Sequence, residues 1–555
     1  MANKHVNAIV VGAGASGGVV AKELAVNGIS VVMFERGGWP IYDDHINDEL
    51  VSQRTQVLGI PFGPDPQKNP RVNILNDGTR EIVTPLINED KYNHIAACVG
   101  SGTVSYGAMA WRYMEEDFKM KSVYGAVEGS TLEDWPISYN DLEPYYEKAE
   151  WELGVAGDAS DNPFAAPRKK GYPMPPFENT KEGRMLADAA KRLGLHPFPI
   201  PMLRNSVPYN DRPACIRNRT CVGFQCPVNA KNGTQNTVIP TAMNTGNCEV
   251  RTNCKVAEII TDSKGRATGV RYFDDNDTEQ TQTADFVVVA ASAIESARLL
   301  LNSKTKLFPN GLGNNNDWVG RNLQGHAYTS AFGLFDSDIK DLEGPGATIG
   351  LCDYNHHNKG VIGGGLIVNE FLTLPYSFSN RRPPGMRRWG KEDKEFQIKN
   401  FRRFSGTRGP VQEMPVFNSR ATIDPVVKDY WGIPVVALSG RGHPLDYEHC
   451  KFMSMKGEQI LKEAGAYKTW LSVGGRSDDS TNGGQHQCGT ARMGNDPKTS
   501  VVNKYGQVHE IDNLFVADAS VFVTNGAFNP VLTIMSVAYW ISDYIVKTWK
   551  GTKFK

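Results

Sequence analysis

The sequence predicts an α/β fold, in which a Rossmann-like dinucleotide-binding domain is combined with a second domain built on a largely antiparallel sheet. Two observations support this prediction. The chain begins with a strand, a glycine-rich turn, a helix and a second strand, and residues 327–484 alternate between apolar and polar side chains. A chain of 555 residues is longer than one ordinary hydrophobic core supports, so two domains or one elaborated domain are expected.

The first element is a short apolar strand at residues 8–11, followed at once by a turn rich in glycine. Gly12 permits the tight turn, Gly14 lets the backbone approach a pyrophosphate, and Gly17 allows the next helix to pack closely. That helix, residues 18–26, directs its N-terminal amides at the phosphates.

A second strand, residues 29–34, ends in Glu35, whose carboxylate can accept hydrogen bonds from ribose hydroxyls. Strand, glycines, helix, strand and acid follow one another in the order of a nucleotide-binding unit. A glycine-rich turn without a ligand is the alternative, but it does not require this order. The unit therefore predicts a bound dinucleotide, and at this point it leaves NAD and FAD open.

The composition excludes several classes of function. A net charge of −1 gives no basic surface for nucleic acid, and no apolar run approaches the roughly 20 residues of a membrane span. The N-terminus enters the first strand at once, which leaves no room for a signal peptide. We expect a cytoplasmic protein, or a periplasmic one that is exported with a signal-bearing partner.

Residues 38–89 are rich in Pro, Asp and Asn and show little periodicity, which predicts an extended surface segment. The loop that follows, residues 100–107, consists largely of glycines and small hydroxyl residues. Such a loop can approach a flat ring because few side chains intervene, although alone it could equally be a tight structural turn.

A family resemblance becomes specific from this loop onward. Gly100-Ser-Gly-Thr, with Trp111-Arg112 and Asp117-Phe118 behind it, resembles the flavin loop of the glucose–methanol–choline (GMC) oxidoreductases. The continuation through residues 119–146 resembles the catalytic subunits of bacterial FAD-dependent sugar (glucose or glucoside) dehydrogenases. Some related oxidases carry in this loop a histidine bonded to the flavin, and Ser105 stands at that position. The resemblance therefore implies FAD that is held noncovalently.

The C-terminal part strengthens the resemblance. His486-x-x-Gly-Thr, a strand that ends at Asp518, and Asn529-Pro-x-x-Thr533 before a terminal helix match the GMC C-terminus in order and spacing. Nicotinamide enzymes lack this return of the chain, so the dinucleotide is interpreted as FAD. The resemblance thus covers nearly the whole sequence and implies the GMC fold.

The cofactor-binding residues that the turn and the resemblance imply come from several separate stretches. They are Gly12, Gly14, Ala15, Ser16, Gly17, Glu35, Arg36, Gly100, Gly102, Thr103, Ser105, Tyr106, Val256, Ala291, Asp518, Ala519, Asn529, Pro530 and Thr533.

The resemblance also implies a division into domains. The FAD-binding domain is expected to be discontinuous, and residues 38–89 form the surface segment between two of its parts. The FAD-binding domain takes residues 1–37, 90–150, 210–326 and 485–555, and the substrate-binding domain takes 151–209 and 327–484.

Three of the nine cysteines, Cys215, Cys221 and Cys226, crowd into twelve residues before a proline. Close thiolates of this kind suit an iron–sulfur cluster, and three ligands suit a [3Fe-4S] form. Several of the sugar dehydrogenases that this chain resembles have a cluster near this position. The spacing departs from theirs, with four residues between the second and third cysteines where three are expected. Inert or structural thiols therefore stay open as the alternative.

Oxidation of an alcohol removes a hydroxyl proton and a hydride from the same carbon. A histidine, whose ordinary pKa is about 6.5, suits the proton transfer near neutral pH. The resemblance assigns that base to His486, and Asn529 is the partner that orients the hydroxyl. By residue type alone His326, His443 and Cys488 are rivals.

The resemblance implies FAD-dependent oxidation of a sugar or glycoside hydroxyl, at C1 or at a ring position such as C3, to a lactone or a keto-sugar. The hydride passes to flavin N5, and the electrons pass to a quinone, a dye or a cytochrome. A small signal-bearing subunit and a cytochrome c subunit are the partners that it suggests. An O2-using oxidase is the alternative within the family. A non-redox flavoprotein lyase, or an electron-transfer subunit, is the alternative outside this chemistry.

Overall fold

The computed structural model describes residues 4–41, 49, 63–85, 89–93, 95–370, 373–474, 484–552 and 554. The strands are β1 Val6–Val11, β2 Val31–Phe34, β3 Arg71–Ile74, β4 Arg80–Val83, β5 Phe198–Pro199, β6 Cys248–Arg251, β7 Lys255–Thr261, β8 Ala267–Phe273, β9 Glu279–Val289, β10 Ala327–Leu334, β11 Ile349–Leu351, β12 Ile367–Asn369, β13 Phe404–Val411, β14 Arg420–Lys428, β15 Pro434–Ser439, β16 Lys468–Ser472 and β17 Leu514–Val516.

The α-helices lie between these strands and at the C-terminus. They are α1 Ala15–Val26, α2 Glu89–Tyr92, α3 Met120–Tyr124, α4 Tyr139–Leu153, α5 Lys181–Arg192, α6 Val238–Asn244, α7 Ala293–Asn302, α8 Pro375–Ser379, α9 Lys391–Asn400, α10 Pro444–Glu463 and α11 Val531–Thr552. Within the described ranges, none of these helices combines the length and the apolar character needed to cross a membrane.

The first sheet has the strand order β6–β2–β1–β9–β8–β7, with β17 also paired to β9. β1 lies parallel to β2 on one side and to β9 on the other, so that Val11 is in register with Phe34 and with Val289. Residues 8–10 are fully buried in the main hydrophobic core, which explains why the strand is apolar throughout.

α1 begins at Ala15, directly after Gly14, which is its N-cap residue. The helix therefore starts three residues earlier than the sequence predicts, because Ala15, Ser16 and Gly17 are helical residues rather than part of the turn. α1 packs against the C-terminal helix α11 and against α6. This packing fixes the N-terminus of α1 at the carboxyl edge of the parallel strands, where ligands of α/β sheets bind.

The second sheet has the order β16–β10–β13–β12–β11–β5, and every paired strand in it is antiparallel. The long helix α10 packs against β10 and β13. The alternating pattern of the sequence therefore does mark an antiparallel sheet, and this sheet also takes β5 from an earlier part of the chain.

The third sheet, β14–β15–β3–β4, differs from the prediction of an extended surface segment at residues 38–89. β3 pairs in parallel with β15, Val72 is fully buried, and Arg71 is 1% exposed. β3 and β4 have only four residues each, too few to show a two-residue alternation in the sequence. The partner of β3, β15, lies far along the chain. Residues 42–48, 50–62 and 86–88 of that segment lie outside the described part of the chain.

Candidate active site

A cavity of about 300 Å³ extends from the carboxyl edge of the first sheet to the second sheet. Its wall includes the end of β1, the turn before α1, the end of β9 and Tyr328 of β10. The cavity thus joins the predicted dinucleotide site to the antiparallel sheet.

The turn between β1 and α1 is built so that the backbone approaches its surroundings closely. Gly12 has a φ of +105°, and a Cβ there would lie 2.4 Å from the carbonyl oxygen of Ala290. A Cβ on Gly17 would lie 1.8 Å from the carbonyl oxygen of Gly12. Gly14, Ala15 and Ser16 line the cavity at the N-terminus of α1. Unblocked amides at a helix N-terminus fit a pyrophosphate group.

Glu35 follows β2 and lies in the wall of the cavity, 7% exposed. Its Oε2 accepts a hydrogen bond from the Ala13 amide at 3.1 Å, and its Oε1 accepts one from the Gly37 amide at 3.0 Å. Burial raises the pKa of this carboxyl, although the amide hydrogen bonds and Arg36 oppose the rise. Glu35 is therefore fixed where a ribose hydroxyl of a dinucleotide would need an acceptor.

Ser292, between β9 and α7, provides a further polar group on the wall. Its hydroxyl oxygen is buried and has no hydrogen-bond partner within the described residues. Its amide donates to Oδ2 of Asp518 at 2.9 Å, and burial raises the pKa of Asp518 although Ser296 and Ser520 oppose the rise. An orphaned hydroxyl beside the glycine turn fits a cavity that takes a polar cofactor.

Most of the predicted cofactor residues lie in this wall. They are Gly12, Gly14, Ala15, Ser16, Glu35, Arg36, Gly102, Thr103, Ser105, Tyr106, Val256, Ala291, Asp518, Ala519, Asn529 and Pro530.

Three predicted cofactor residues do not line the cavity. Gly17 lies behind the turn and allows α1 to pack on Gly12. Gly100 has a φ of +90° and packs against Gln235. Thr533 is fully buried in α11, and its hydroxyl is 2.8 Å from that of Tyr146. These three residues support the wall of the cavity from behind. A sequence motif does not show whether a residue contacts the ligand or only supports the residues that do.

His486 and Asn529 both lie in the wall of the cavity, together with Ser105 and Tyr106 of the predicted flavin loop. Asn529 accepts a hydrogen bond at Oδ1 from the indole N–H of Trp111, at 3.2 Å. Its Nδ2 donates to the hydroxyl of Tyr328 at 2.8 Å. Because the indole can only donate, this pair defines which end of the Asn529 amide is the oxygen.

His486 is held from its other side. Its Nδ1 lies 2.7 Å from Nδ1 of His326, and Nε2 of His326 lies 2.7 Å from the carbonyl oxygen of Gly526. The ring of Tyr328 is 5.6 Å from that of His486, between centroids. Burial lowers the pKa of His326, although the Gly526 carbonyl raises it in part.

The structure separates the three rival residues. His443 caps α10, accepting from the Leu445 amide, and its Nε2 faces the carbonyl of Glu128 at 2.8 Å. Cys488 is 1% exposed. Neither is among the residues that line the cavity, whereas His326 touches His486 directly.

Sequence reasoning missed Trp111 and Tyr328 as contacts of the site, and it treated His326 as a rival rather than a partner. Trp111 belongs to the family motif that follows the flavin loop. Tyr328 follows His326 at the two-residue spacing that places side chains on one face of a strand. These features identify Trp111 and Tyr328 as candidate site residues, but they do not show which side chain each of them contacts.

Cys215, Cys221 and Cys226 lie in a loop whose Gly223 amide donates to the Ser105 carbonyl at 2.7 Å. The Sγ atoms of Cys215 and Cys226 each accept a backbone N–H at 3.3 Å. Burial opposes ionisation of Cys221, but the nearby Arg204 and Lys231 outweigh it and lower the pKa of the thiol.

Within the described residues no group of three or more His, Cys, Asp or Glu side chains is placed to hold a single metal ion. N–H groups directed at sulfur and a thiol with a lowered pKa are the surroundings that a thiolate-ligated cluster requires. These surroundings favour a thiolate at Cys221, whereas burial raises the pKa of Cys215, and the cluster stays a prediction.

Two family models match the chain, and both describe a GMC oxidoreductase. The model of the N-terminal part matches residues 129–328, and that of the C-terminal part matches residues 417–538. The gluconate 2-dehydrogenase flavoprotein of Pantoea cypripedii is 28% identical over 588 residues, covering 98% of this chain and 94% of that protein. The fructose dehydrogenase large subunit of Gluconobacter japonicus is 27% identical, covering 99% of this chain and 100% of that protein.

The crystal structure of pyridoxine 4-oxidase from Mesorbium loti has the same fold, with a TM-score of 0.62 and 16% sequence identity. The match covers 97% of this chain and 99% of that one. The predicted GMC fold is thereby confirmed, and so is the interpretation of the dinucleotide as FAD. The chain belongs to the GMC oxidoreductase family and is a FAD-binding oxidoreductase.

Proposed function

We propose that this enzyme oxidises a hydroxyl group of a sugar, a sugar acid or a glycoside, and that His486 is its general base. The observation that carries the proposal is the position of His486 and Asn529 in the wall of the cavity that also contains the glycine turn and Glu35. Two relatives over nearly the whole chain are named for gluconate and fructose, which supports a carbohydrate substrate.

The two residues divide the work on the substrate. Bound FAD would supply the acceptor for the hydride that leaves the oxidised carbon. His486 takes the hydroxyl proton, for which an uncharged imidazole near neutral pH is suited. Asn529 cannot accept a proton, but its Nδ2 has two N–H bonds and can donate to the substrate hydroxyl as well as to Tyr328.

The oxidised position, C1 or a ring carbon such as C3, and the electron acceptor are finer parts of the proposal. A quinone, a dye or a cytochrome is the acceptor that we favour, because the cysteine loop contacts the predicted flavin loop through Gly223 and Ser105. The residues that would hold a [3Fe-4S] cluster there are Cys215, Cys221 and Cys226, and the cluster would supply one-electron transfer. An O2-using oxidase is the second candidate, since the 6'''-hydroxyparomomycin C oxidase of Streptomyces lividus is 29% identical over 95% of this chain and is named an oxidase.

We further propose that the chain works with other subunits. The relative from Gluconobacter japonicus is named a large subunit, so that protein is one part of an assembly. A small signal-bearing subunit and a cytochrome c subunit are the partners that fit an external acceptor. With such partners the enzyme acts in the periplasm, and without them in the cytoplasm.

The test is anaerobic mixing of the purified, FAD-loaded protein with D-glucose, D-gluconate, D-fructose and methyl α-D-glucopyranoside in separate reactions. We expect at least one of them to bleach the flavin absorbance, while glycerol at the same concentration does not. Readmission of O2 then separates the two candidates, because a dehydrogenase recovers its colour slowly with O2 and quickly with a quinone or a dye. Failure of every carbohydrate to bleach the flavin would refute the proposal.

A further inference from the structure

The pairing of His326 with His486 defines where protons sit on both imidazole rings. A nitrogen–nitrogen distance of 2.7 Å requires one proton between the two Nδ1 atoms, donated by one ring and accepted by the other. Two protons would clash, and two lone pairs would repel. The direction of this hydrogen bond therefore decides which nitrogen of His486 carries the lone pair.

The carbonyl of Gly526 decides that direction. A carbonyl oxygen only accepts, so at 2.7 Å the Nε2 of His326 must carry a hydrogen. In neutral His326 the other nitrogen, Nδ1, is then the acceptor. It follows that the proton between the rings belongs to Nδ1 of His486, and that Nε2 of His486 holds the lone pair.

The surroundings keep His326 neutral. Burial lowers its pKa and outweighs the Gly526 carbonyl and the carboxylates of Glu413 and Asp117, which act in the opposite direction. An imidazolium at this position would donate to His486 and reverse the bond. Among the described residues, the charged and titratable groups that act on His326 are two carboxylates and His486, and burial prevails over them.

The backbone that holds the pair is itself fixed. The side chain of Asn525 donates to the carbonyl of Gly325, and Gln412 donates to Oδ1 of Asn525 at 3.1 Å. A Cβ on Gly526 would lie 2.8 Å from the ring of Tyr113, so this carbonyl lies on a tightly packed turn. The contact between Asn525 and Gly325 joins the segment before β10 to the turn before α11.

We propose that His326 is a positioning residue that locks His486 in the tautomer with the hydrogen on Nδ1 and the lone pair on Nε2. The inference rests on the proposed role of His486 as the base. In that role His486 accepts the alcohol proton at Nε2 and becomes an imidazolium. Its Nδ1–H then donates to the neutral Nδ1 of His326, and this charge-assisted hydrogen bond stabilises the protonated base.

Two substitutions separate this role from simple packing. His326→Gln keeps an acceptor for His486 and a donor for Gly526, whereas His326→Leu keeps comparable volume and has neither. In anaerobic stopped-flow, with the carbohydrate that reduces the flavin fastest among the four tested above, the Leu variant should reduce its flavin about 10- to 100-fold more slowly. The Gln variant should recover most of the rate.

The pH profile gives a readout that packing alone would not move. The proton is accepted by uncharged His486, so the rate rises with pH through the pKa of that residue. Loss of the acceptor disfavours the imidazolium and lowers this pKa, so in the Leu variant the midpoint should move to lower pH by about one unit. In the Gln variant the midpoint should return toward that of the wild type.

A second measurement does not depend on a substrate. Diethyl pyrocarbonate reacts with the uncharged imidazole, so the rate at which His486 is modified, followed by mass spectrometry across pH, reports the same midpoint. If no carbohydrate reduces the flavin, the proposed function fails, and this titration still tests the tautomer.

If the pH midpoint of flavin reduction is the same in the wild type and the His326→Leu variant, the inference is overturned. A Gln variant that is as slow as the Leu variant would also overturn it, because His326 would then be acting as a base itself. If His486→Ala reduces its flavin at the wild-type rate, the base assignment fails instead.

Discussion

At the scale of single residues, the backbone of Ser292 is strained. It has φ +77° and ψ 159°, a conformation that glycine adopts readily and serine rarely. Conformations of this kind cost about 1–3 kcal/mol, part of which the greater freedom of an unfolded glycine would offset.

Ser292→Gly is therefore expected to raise the apparent Tm by about 1–2 °C, because it relieves the strain. Ser292→Ala is the matched control, since it removes the same hydroxyl and keeps the strained backbone. Thermal unfolding of the two FAD-loaded variants checks the prediction. Equal melting temperatures for them would show that the backbone is not strained in solution.

Asn529 should contribute less to the rate than the base. Asn529→Ala removes a neutral hydrogen-bond donor rather than a proton acceptor, so flavin reduction should slow by about 2- to 10-fold. Trp111→Phe, which removes the N–H that orients the Asn529 amide, should have a smaller effect in the same direction. Rapid-mixing measurements compare the two. A loss in Asn529→Ala as large as that in His486→Ala would contradict this division of roles.

The contacts of these residues explain what the sequence could predict at this scale. His486 and Asn529 belong to short motifs and were named from them. The bond from Trp111 to Asn529 joins positions 418 residues apart, and that from Asn529 to Tyr328 spans 201. Which residue meets which across such separations depends on how the two sheets pack, and no local pattern contains that information.

At the scale of elements, the turn between β1 and α1 makes a steric prediction. Gly17→Ala places a methyl group 1.8 Å from the Gly12 carbonyl, so α1 must move away and the phosphate site is lost. The purified variant should lack flavin absorbance. Gly28→Ala, just after the same helix, has φ +80° with nothing within 4 Å of the new methyl group. It should lose about 1 kcal/mol of stability and keep its flavin. Flavin retained in Gly17→Ala would show that the turn tolerates the methyl group.

The elements also show why the sequence predicts the first strand–helix–strand unit but not the third sheet. β1, α1 and β2 follow one another directly, so a local pattern of glycines and apolar residues identifies the unit. β3 instead pairs with β15, where Val72 is in register with Ala437. Arg71 of β3 is buried against Glu295 of α7 at 2.7 Å, and Arg36 and Lys255 lie within 4 Å of the same carboxylate. An arginine read from the sequence as a surface residue is in fact part of a buried ion network.

At the scale of the whole molecule, the antiparallel second sheet was predicted from its alternating pattern, and the parallel pair β1 and β2 of the first sheet from its order of elements. The first sheet also contains the antiparallel pairs β7–β8 and β8–β9. The order of strands within each sheet was not predicted, since it depends on pairings between distant segments. One contact between distant segments has a functional consequence. The cysteine loop lies against the loop of Ser105, and this contact connects the predicted cluster site with the cofactor cavity.

If the cluster is present, the purified protein should contain about three iron atoms and acid-labile sulfide per chain. Cys221→Ser should abolish the cluster and the transfer of electrons to an external dye, while the flavin is still reduced by the sugar. Cys450→Ser, in the buried core on α10, is the control that should retain iron. An iron-free protein with full dye-linked activity would exclude the cluster.

The central claim is that His486 is the base, and its most direct test is anaerobic stopped-flow reduction of the flavin by a saturating carbohydrate. His486→Ala removes the imidazole and leaves the glycine turn and Glu35 untouched, so the variant should bind FAD normally. We predict that its flavin is reduced roughly 10²–10⁴-fold more slowly than in the wild type. His443→Ala, which removes a helix cap outside the cavity wall, should react at close to the wild-type rate. A His486→Ala variant that reduces its flavin at the wild-type rate would contradict the account.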